Sequence, residues 1–298
     1  MSQPIQTATD PKKDMPVKTS GNPDLTAEII ETMEAFSNLE EAWNTLAVES
    51  DATIFQVFEW QFLWWKHFGV HHSRKLHILA LRHSSRLVGL APLFLERVSA
   101  AGMTLSTRLR LIGSPVPQKR AMGLSAISGV MDYLDVLSVP EYEPAVNKAL
   151  TDYLMDSSRP FDDLEMVELK PDSFVVRMLI PELESRDAEV AVSELQMISH
   201  TSVPKDFDTF KAACNRRLRR QLSKAQKNFT DDEIQDITTG QTFQDGLDTL
   251  IALHQSRWNR MGFPGLFENP VFADLQHDLL PHMLERGWLW LKLIKKEE

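Results

Sequence analysis

The chain has 298 residues, 43% apolar and 25% charged, which excludes wholesale disorder and leaves room for one large domain or two modest ones. A net charge of −10 excludes a general nucleic-acid binder, so no DNA partner is expected. The single cysteine, Cys214, excludes an internal disulfide, and no apolar run reaches the ~18 residues of a membrane span. Together with a polar N-terminus lacking a signal-peptide core, these features point to a cytoplasmic protein.

Residues 1–25 are rich in Pro, Ser, Thr, Lys and Asp, the composition of a disordered tail. Residues 27–33 read as a strand. Ser37, with Glu40 three residues on, reads as a capping box that opens a helix with the apolar stripe Leu39, Trp43, Leu46 and Ala47. Residues 58–68 form a second helix, dense in aromatic side chains. Strands at 76–81 and 87–98 flank a turn at Ser84-Ser85, a hairpin by spacing. A short strand at 110–112 leads into a loop rich in Gly, Ser and Pro that runs to about Gly129. Strands at 133–137 and 164–169 bracket a helix at 141–155, a helix follows at 173–180, and 190–198 reads as a strand.

Residues 207–229 carry the clearest helical period: Phe207, Phe210, Cys214, Leu218, Leu222, Ala225 and Phe229 recur at spacings of three and four. Leu218 and Cys214 are therefore expected to face the core. Arg216, Arg220, Lys224 and Lys227 fall on the opposite face. Residues 205–227 hold eight basic residues and two acids, a local charge of +6, so the rest of the chain carries −16. A strand at 233–237 follows, then a helix capped by Thr242 and ending at Gly262. Asn269-Pro270 opens the next helix, Pro281 should kink it, and Gly287 ends it before a strand at 288–294.

Residues 27–81 and 233–294 thus share the order strand, helix, helix, strand at an offset of roughly 205 to 212 residues. The first stretch continues into the return strand 87–98. The second reaches Glu298 without one, so a C-terminal truncation is expected, with strand 288–294 an open edge available for self-association.

Several segments resemble the GNAT acyltransferases across about residues 27–294. They are the strand-helix-helix-strand-strand opening, Trp43, the aromatic helix around Trp60, Gly89-x-x-Pro92-Leu93 and Asp132-Tyr133-Leu134-Asp135. The second half adds Asn215-Arg216-Arg217-Leu218-Arg219-Arg220, His254-x-x-Arg257-Trp258 and Gly262. The pattern is most similar to the branch identified as cellulose-biosynthesis-associated acetyltransferases, related to the Fem-type tandem proteins. The resemblance implies an α/β (α+β) fold of tandem GNAT-like halves with mixed central sheets, at 26–200 and 201–298, the second incomplete. It implies acetyl-CoA or another acyl-CoA as donor, and an amine or hydroxyl acceptor on a small molecule or polysaccharide precursor. The strands and turn that bind the donor in the family would lie beyond Glu298, so a non-catalytic anion- or phosphoglycan-binding module is the alternative.

The candidate site residues follow. His254 is a candidate general base and Arg257 a candidate anion binder with Trp258 beside them; the alternative is a packed His254 and Trp258 with Arg257 in a structural ion pair. Arg216, Arg217, Arg219 and Arg220 can hold phosphate or carboxylate bidentately, or form a solvated helix face. Asp132 and Asp135 flank Tyr133 beside a strand end, where a carboxylate can accept a proton or merely form a turn. Arg120-x-x-Gly123-x-Ser125 is a near miss to the GNAT pyrophosphate signature. His67, His71 and His72 lack the spacing and partners of a metal site, and none is assigned.

Overall fold

The computed structural model describes residues 24–295 apart from 72, 101–102, 121–122, 127–130, 195–196, 200, 229–232 and 238–239. The expected tail lies, up to residue 23, outside them. The fold is mixed α/β, with several sheets and nine α-helices among the described residues. None of those helices is long and apolar enough to cross a membrane.

The chain opens with β1 (Thr26–Ile30), α1 (Met33–Ser37) and α2 (Glu40–Glu49). The expected capping box at Ser37 does not form. Thr32 caps one turn earlier, its Oγ1 accepting from the Ala35 N–H at 3.1 Å, and Ser37 ends α1 instead of starting the next helix. The stripe Leu39, Trp43, Leu46 and Ala47 is buried as the period required. α3 (Phe58–Trp64) runs on as a π turn through Gly69. Asn44 of α2 accepts from the Phe58 N–H at 3.0 Å and so caps α3.

β2 (Arg74–Leu76) and β3 (Ile78–His83) pair antiparallel with β5 (Leu93–Ala100) and β4 (Arg86–Ala91). One register holds from Arg74↔Glu96 to Leu81↔Gly89, so this is one long hairpin in two pieces. Pro92 divides it, because proline has no N–H for the ladder. Across the gap the His77 N–H donates to the Leu93 carbonyl at 3.1 Å. At Pro92 the long strand also changes neighbours. β5 pairs with β6 (Met103–Leu111), whereas β4 pairs with β9 (Leu137–Ser138). Between them lies the hairpin of β7 (Pro117–Arg120) and β8 (Gly123–Ala126), in which Arg120 pairs with Gly123. The near-miss pyrophosphate signature therefore straddles a β-hairpin. It does not open a helix, as an anion turn requires. Residues 121–122 of that motif lie outside the described residues.

α4 (Glu143–Met155) packs on the sheet, β10 (Asp163–Glu165) joins β6 in parallel, and α5 (Ile180–Ser185) follows a π turn at 175–179. Sequence period underestimated β6, a nine-residue strand of which only 110–112 was expected. Its outer half, Met103–Thr107, has no buried side chain to mark it. The strand expected at 190–198 is absent among the described residues there, and Val192, Met197 and Ile198 are exposed. A strand needs a neighbour, and none reaches this segment among the described residues.

The expected single helix at 207–229 is two: α6 (Phe207–Ala213) and α7 (Arg216–Asn228). Cys214 is extended at ψ 151°, and the Asn215 side chain accepts from the Leu218 N–H at 2.9 Å, starting a new helix. β11 (Ile234–Asp236), α8 (Gly240–Arg260), α9 (Pro270–Glu285) and β12 (Lys292–Ile294) complete the chain. Asn269 caps α9, accepting from the Val271 N–H at 3.0 Å, and the helix continues through Pro281.

The strand-helix-helix-strand pattern recurs in pairing as well as order. β1 lies antiparallel to β3 in the first stretch, and β11 lies antiparallel to β12 in the second. β3 has β4 on its other side, while β12 has no strand there among the described residues. α9 serves two cores, with Leu280 and Leu284 packing beside its own strands. Phe272, Leu275, Leu279 and Met283 join the large core built by Trp43, Trp64, Phe36 and Phe94, each burial contributing about 1.5–3 kcal/mol. Ile237, Phe243 and Leu247 form a smaller cluster of their own.

Candidate active site

α8 is fixed at its N-terminal end, where Phe243 and Leu247, four residues apart, are buried. Its C-terminal half projects into solvent and carries His254, Arg257 and Trp258. The helix stops at Gly262, whose φ of +79° suits glycine, and the Phe263 N–H returns to the Trp258 carbonyl at 3.1 Å. The chain then folds back over α8. A Cβ on Gly265 would lie 1.7 Å from Gln255 Oε1, so only glycine permits this approach.

That approach organises the surroundings of His254. Gln255 Oε1 lies 3.1 Å from His254 Nδ1, and Phe267 stands edge-on to the imidazole with centroids 5.1 Å apart. Trp258 flanks the ring at 6.0 Å and in turn meets Phe263 at 6.3 Å. In the tautomer that satisfies the glutamine contact, Nδ1 donates and Nε2 keeps its lone pair. Nε2 has no partner among the described residues. His254 is half-buried, while Arg257 is exposed and makes no ion pair among those residues. The site is therefore a nitrogen base with an aromatic wall on one side and a free guanidinium one helical turn away.

α7 presents Arg216, Arg217, Arg219, Arg220, Lys224 and Lys227 with no acid in the helix. Leu218 does not face the core: it is 37% exposed, and no residue of α6 or α7 is buried. The apolar stripe of α7 is only three residues wide, too little to dock a helix whose other positions are charged or polar. None of its arginines bonds to the His254 cluster.

In the first half, Asp135 and Asp132 have different surroundings. Burial pushes the Asp135 carboxyl up, against hydrogen bonds from Phe174, Val175 and Val136 that favour its charge. Those N–H groups lie at 2.6, 3.1 and 2.9 Å and occupy both oxygens. The carboxylate thus ties the 131–136 segment to the start of the 174–185 helical run. Asp132 lies beside Glu168, whose carboxyl is raised by burial and then by the Asp132 charge. Tyr133 and Glu168 both hold positive φ, at 57° and 58°, and the Leu134 N–H donates to the Glu168 carbonyl at 3.0 Å. The strand expected at 133–137 shrinks to Leu137–Ser138 for this reason. No hydrogen bond, ion pair or ring contact joins Asp132, Tyr133 or Asp135 to His254 among the described residues.

Sequence reasoning missed two polar constellations. Glu96 of β5 binds Arg74 at 2.7 Å and Arg110 at 2.9 Å, and Arg110 reaches Glu165 at 2.9 Å, a charge ladder across four strands. Burial alone would raise the Glu96 carboxyl, but its two arginines hold it below the usual carboxylate range. His77, buried at the break in the long hairpin, bonds Tyr153 through Nε2 and has Glu31 3.5 Å from Nδ1. Alternation along single strands carries no record of such cross-strand partners. Of the three histidines noted from sequence, His67 bonds Asp278 of α9 at 2.8 Å and His72 lies outside the described residues. No group of metal-ligating side chains occurs among those residues.

Residues 216–296 match the family model of an acetyltransferase (GNAT) domain, a span that starts at α7 and takes in α8, α9 and β12. No curated protein matches the chain.

Proposed function

We propose that the chain transfers an acetyl or acyl group from a coenzyme A thioester to an amine or hydroxyl of a small molecule or polysaccharide precursor. The observation that carries this reading is the GNAT-domain match over the stretch that holds α7 and the His254 cluster. His254 Nε2 takes the proton of the attacking nucleophile as its nitrogen or oxygen bonds to the thioester carbonyl. The tetrahedral intermediate collapses with loss of the thiolate, which is then protonated. Arg257 holds an anionic group of the acceptor, Trp258 supplies an apolar wall, and Arg216, Arg217, Arg219 and Arg220 hold phosphates. Asp132 and Tyr133 line the acceptor side from the first half, 26–200, with Asp135 positioning them. The side of β12 that has no strand among the described residues suits the amides of an extended pantetheine chain, which need backbone partners.

The test follows thiol release from acetyl-CoA with a panel of amine and sugar acceptors. His254→Ala should lower turnover about 10²–10⁴-fold, the usual scale for a lost general base. Turnover unaffected by His254→Ala would remove it from the mechanism. A second reading, a non-catalytic anion-binding module, is favoured by the cations of α7, which form no ion pair among the described residues. Saturable phosphate-ester binding without thiol release with any acceptor would select it.

A further inference from the structure

The arginines of α7 contrast with eight elsewhere in the chain. Arg74, Arg82, Arg86, Arg108, Arg110, Arg177, Arg186 and Arg286 each pair with a carboxylate. In a chain of net charge −10, carboxylates are plentiful. Yet Arg216, Arg217, Arg219 and Arg220 pair with none among the described residues, and α7 contains none.

Apolar residues on α7 and in the chain leading to it are exposed as well. Leu218 is 37% exposed and Phe207 of α6 is 44% exposed. The irregular segment leading into α6 exposes Met197 at 96% and Val203 at 77%. At 100° per residue the six cations of α7 cover one broad arc, and Leu218, Leu222 and Ala225 form a narrow stripe opposite it. Arg217, Arg219 and Lys224 flank that stripe on its two sides. A helix with this division lies flat in a bilayer interface. The stripe enters the acyl boundary, the flanking cations snorkel to lipid phosphates, and the remaining cations add long-range attraction. Arg216 to Lys227 spans about 16 Å at 1.5 Å per residue, enough to meet several headgroups at once.

We propose that α6–α7 and the segment before it form a docking surface for an anionic lipid bilayer. The remaining −16 of charge is repelled by the same surface, so it orients the protein with α7 toward the lipid. A polynucleotide is the less fitting partner. α7 has no aromatic side chain on which a base could stack, and exposed Met197, Val203 and Leu218 add nothing to a phosphate track. The proposal rests on the anion-binding reading of α7 and not on acyl transfer.

The test is co-flotation of the full chain with vesicles of phosphatidylcholine alone and with about 30% phosphatidylglycerol, at low and high salt. Binding is expected only with phosphatidylglycerol and should fall with salt. Each cation contributes about fivefold, so the exposed quadruple variant R216Q/R217Q/R219Q/R220Q should bind at least ~100-fold more weakly. Leu218→Gln, also exposed, should lower binding about tenfold with the charge unchanged. Equal binding to both vesicle types, or full binding by the quadruple variant, would overturn the proposal. So would a single-stranded RNA that binds as tightly per phosphate and is indifferent to Leu218→Gln. Inorganic pyrophosphate bound by the wild type, without any flotation, would leave the anion-binding reading intact and remove the bilayer.

Discussion

Arg286 closes α9 onto the first half of the chain through a carboxylate that has little access to water. Glu59 of α3 is 5% exposed in its side chain, and the Arg286 guanidinium lies 2.5 Å from its Oε1. The only other contacts on that carboxylate among the described residues are from the Asn44 amide, at 3.1 and 3.2 Å. Removing one partner of a fully buried ion pair costs about 3–5 kcal/mol, because the other charge is left in a poor solvent. Here the arginine side is 42% exposed, so water can enter the vacated place, and Asn44 stays. Arg286→Met should therefore cost about 1–3 kcal/mol. The same arginine also bonds Glu40 at 3.0 Å, but Glu40 is 54% exposed. Glu40→Gln should thus cost no more than ~0.5 kcal/mol. Glu59→Gln placed on top of Arg286→Met should recover stability, since no buried charge then remains. Urea unfolding read by far-ultraviolet circular dichroism and tryptophan fluorescence measures all four proteins. If Arg286→Met costs no more than Glu40→Gln, or if the double variant is less stable than Arg286→Met alone, the buried-charge argument is wrong.

Leu279 of α9 is fully buried in the large core, so Leu279→Ala should cost about 3–5 kcal/mol, and both spectroscopic probes should shift together if α9 and the first half unfold as one. His77 is held below its ordinary value of 6.5 by burial, with Glu31 partly opposing. Between the folded and unfolded values the unfolded chain binds the extra proton, so stability should fall as pH drops through about 6.5, and His77→Gln should flatten that part of the urea-midpoint profile. An unchanged profile would assign the acid sensitivity elsewhere. Gly265→Ala should push the Gln255 amide, a flexible end, away from His254. Stability should change by less than ~1 kcal/mol while thiol release falls, and a parallel loss of both would show that the glycine serves folding alone.

The aromatic helix, the hairpin 74–100 and the two strand-helix-helix-strand stretches were legible because their side chains repeat at the period of the structure they form. The site was legible as to residue type. His254, Arg257 and Trp258 recur at helical spacing on α8, and the arginines of α7 are exposed. The failures share one cause. Leu218 follows an apolar period yet faces no core, and 190–198 is rich in apolar side chains yet has no neighbouring strand among the described residues. Asp135 reads as a free loop carboxylate yet is saturated by N–H groups some 40 residues away.

Sequence by itself determined the order of elements, the surplus of positive charge at 205–227 and the placement of a histidine within reach of solvent, because these depend on neighbours along the chain. Tertiary structure alone decided that α9 joins the large core through one face and the smaller cluster through another, and that Gly265 brings Gln255 to His254. It also decided that the arginines of α7 pair with no carboxylate among the described residues while eight others do. Packing, close approach and charge pairing are set by which distant segments meet, and a one-dimensional period holds no information about that.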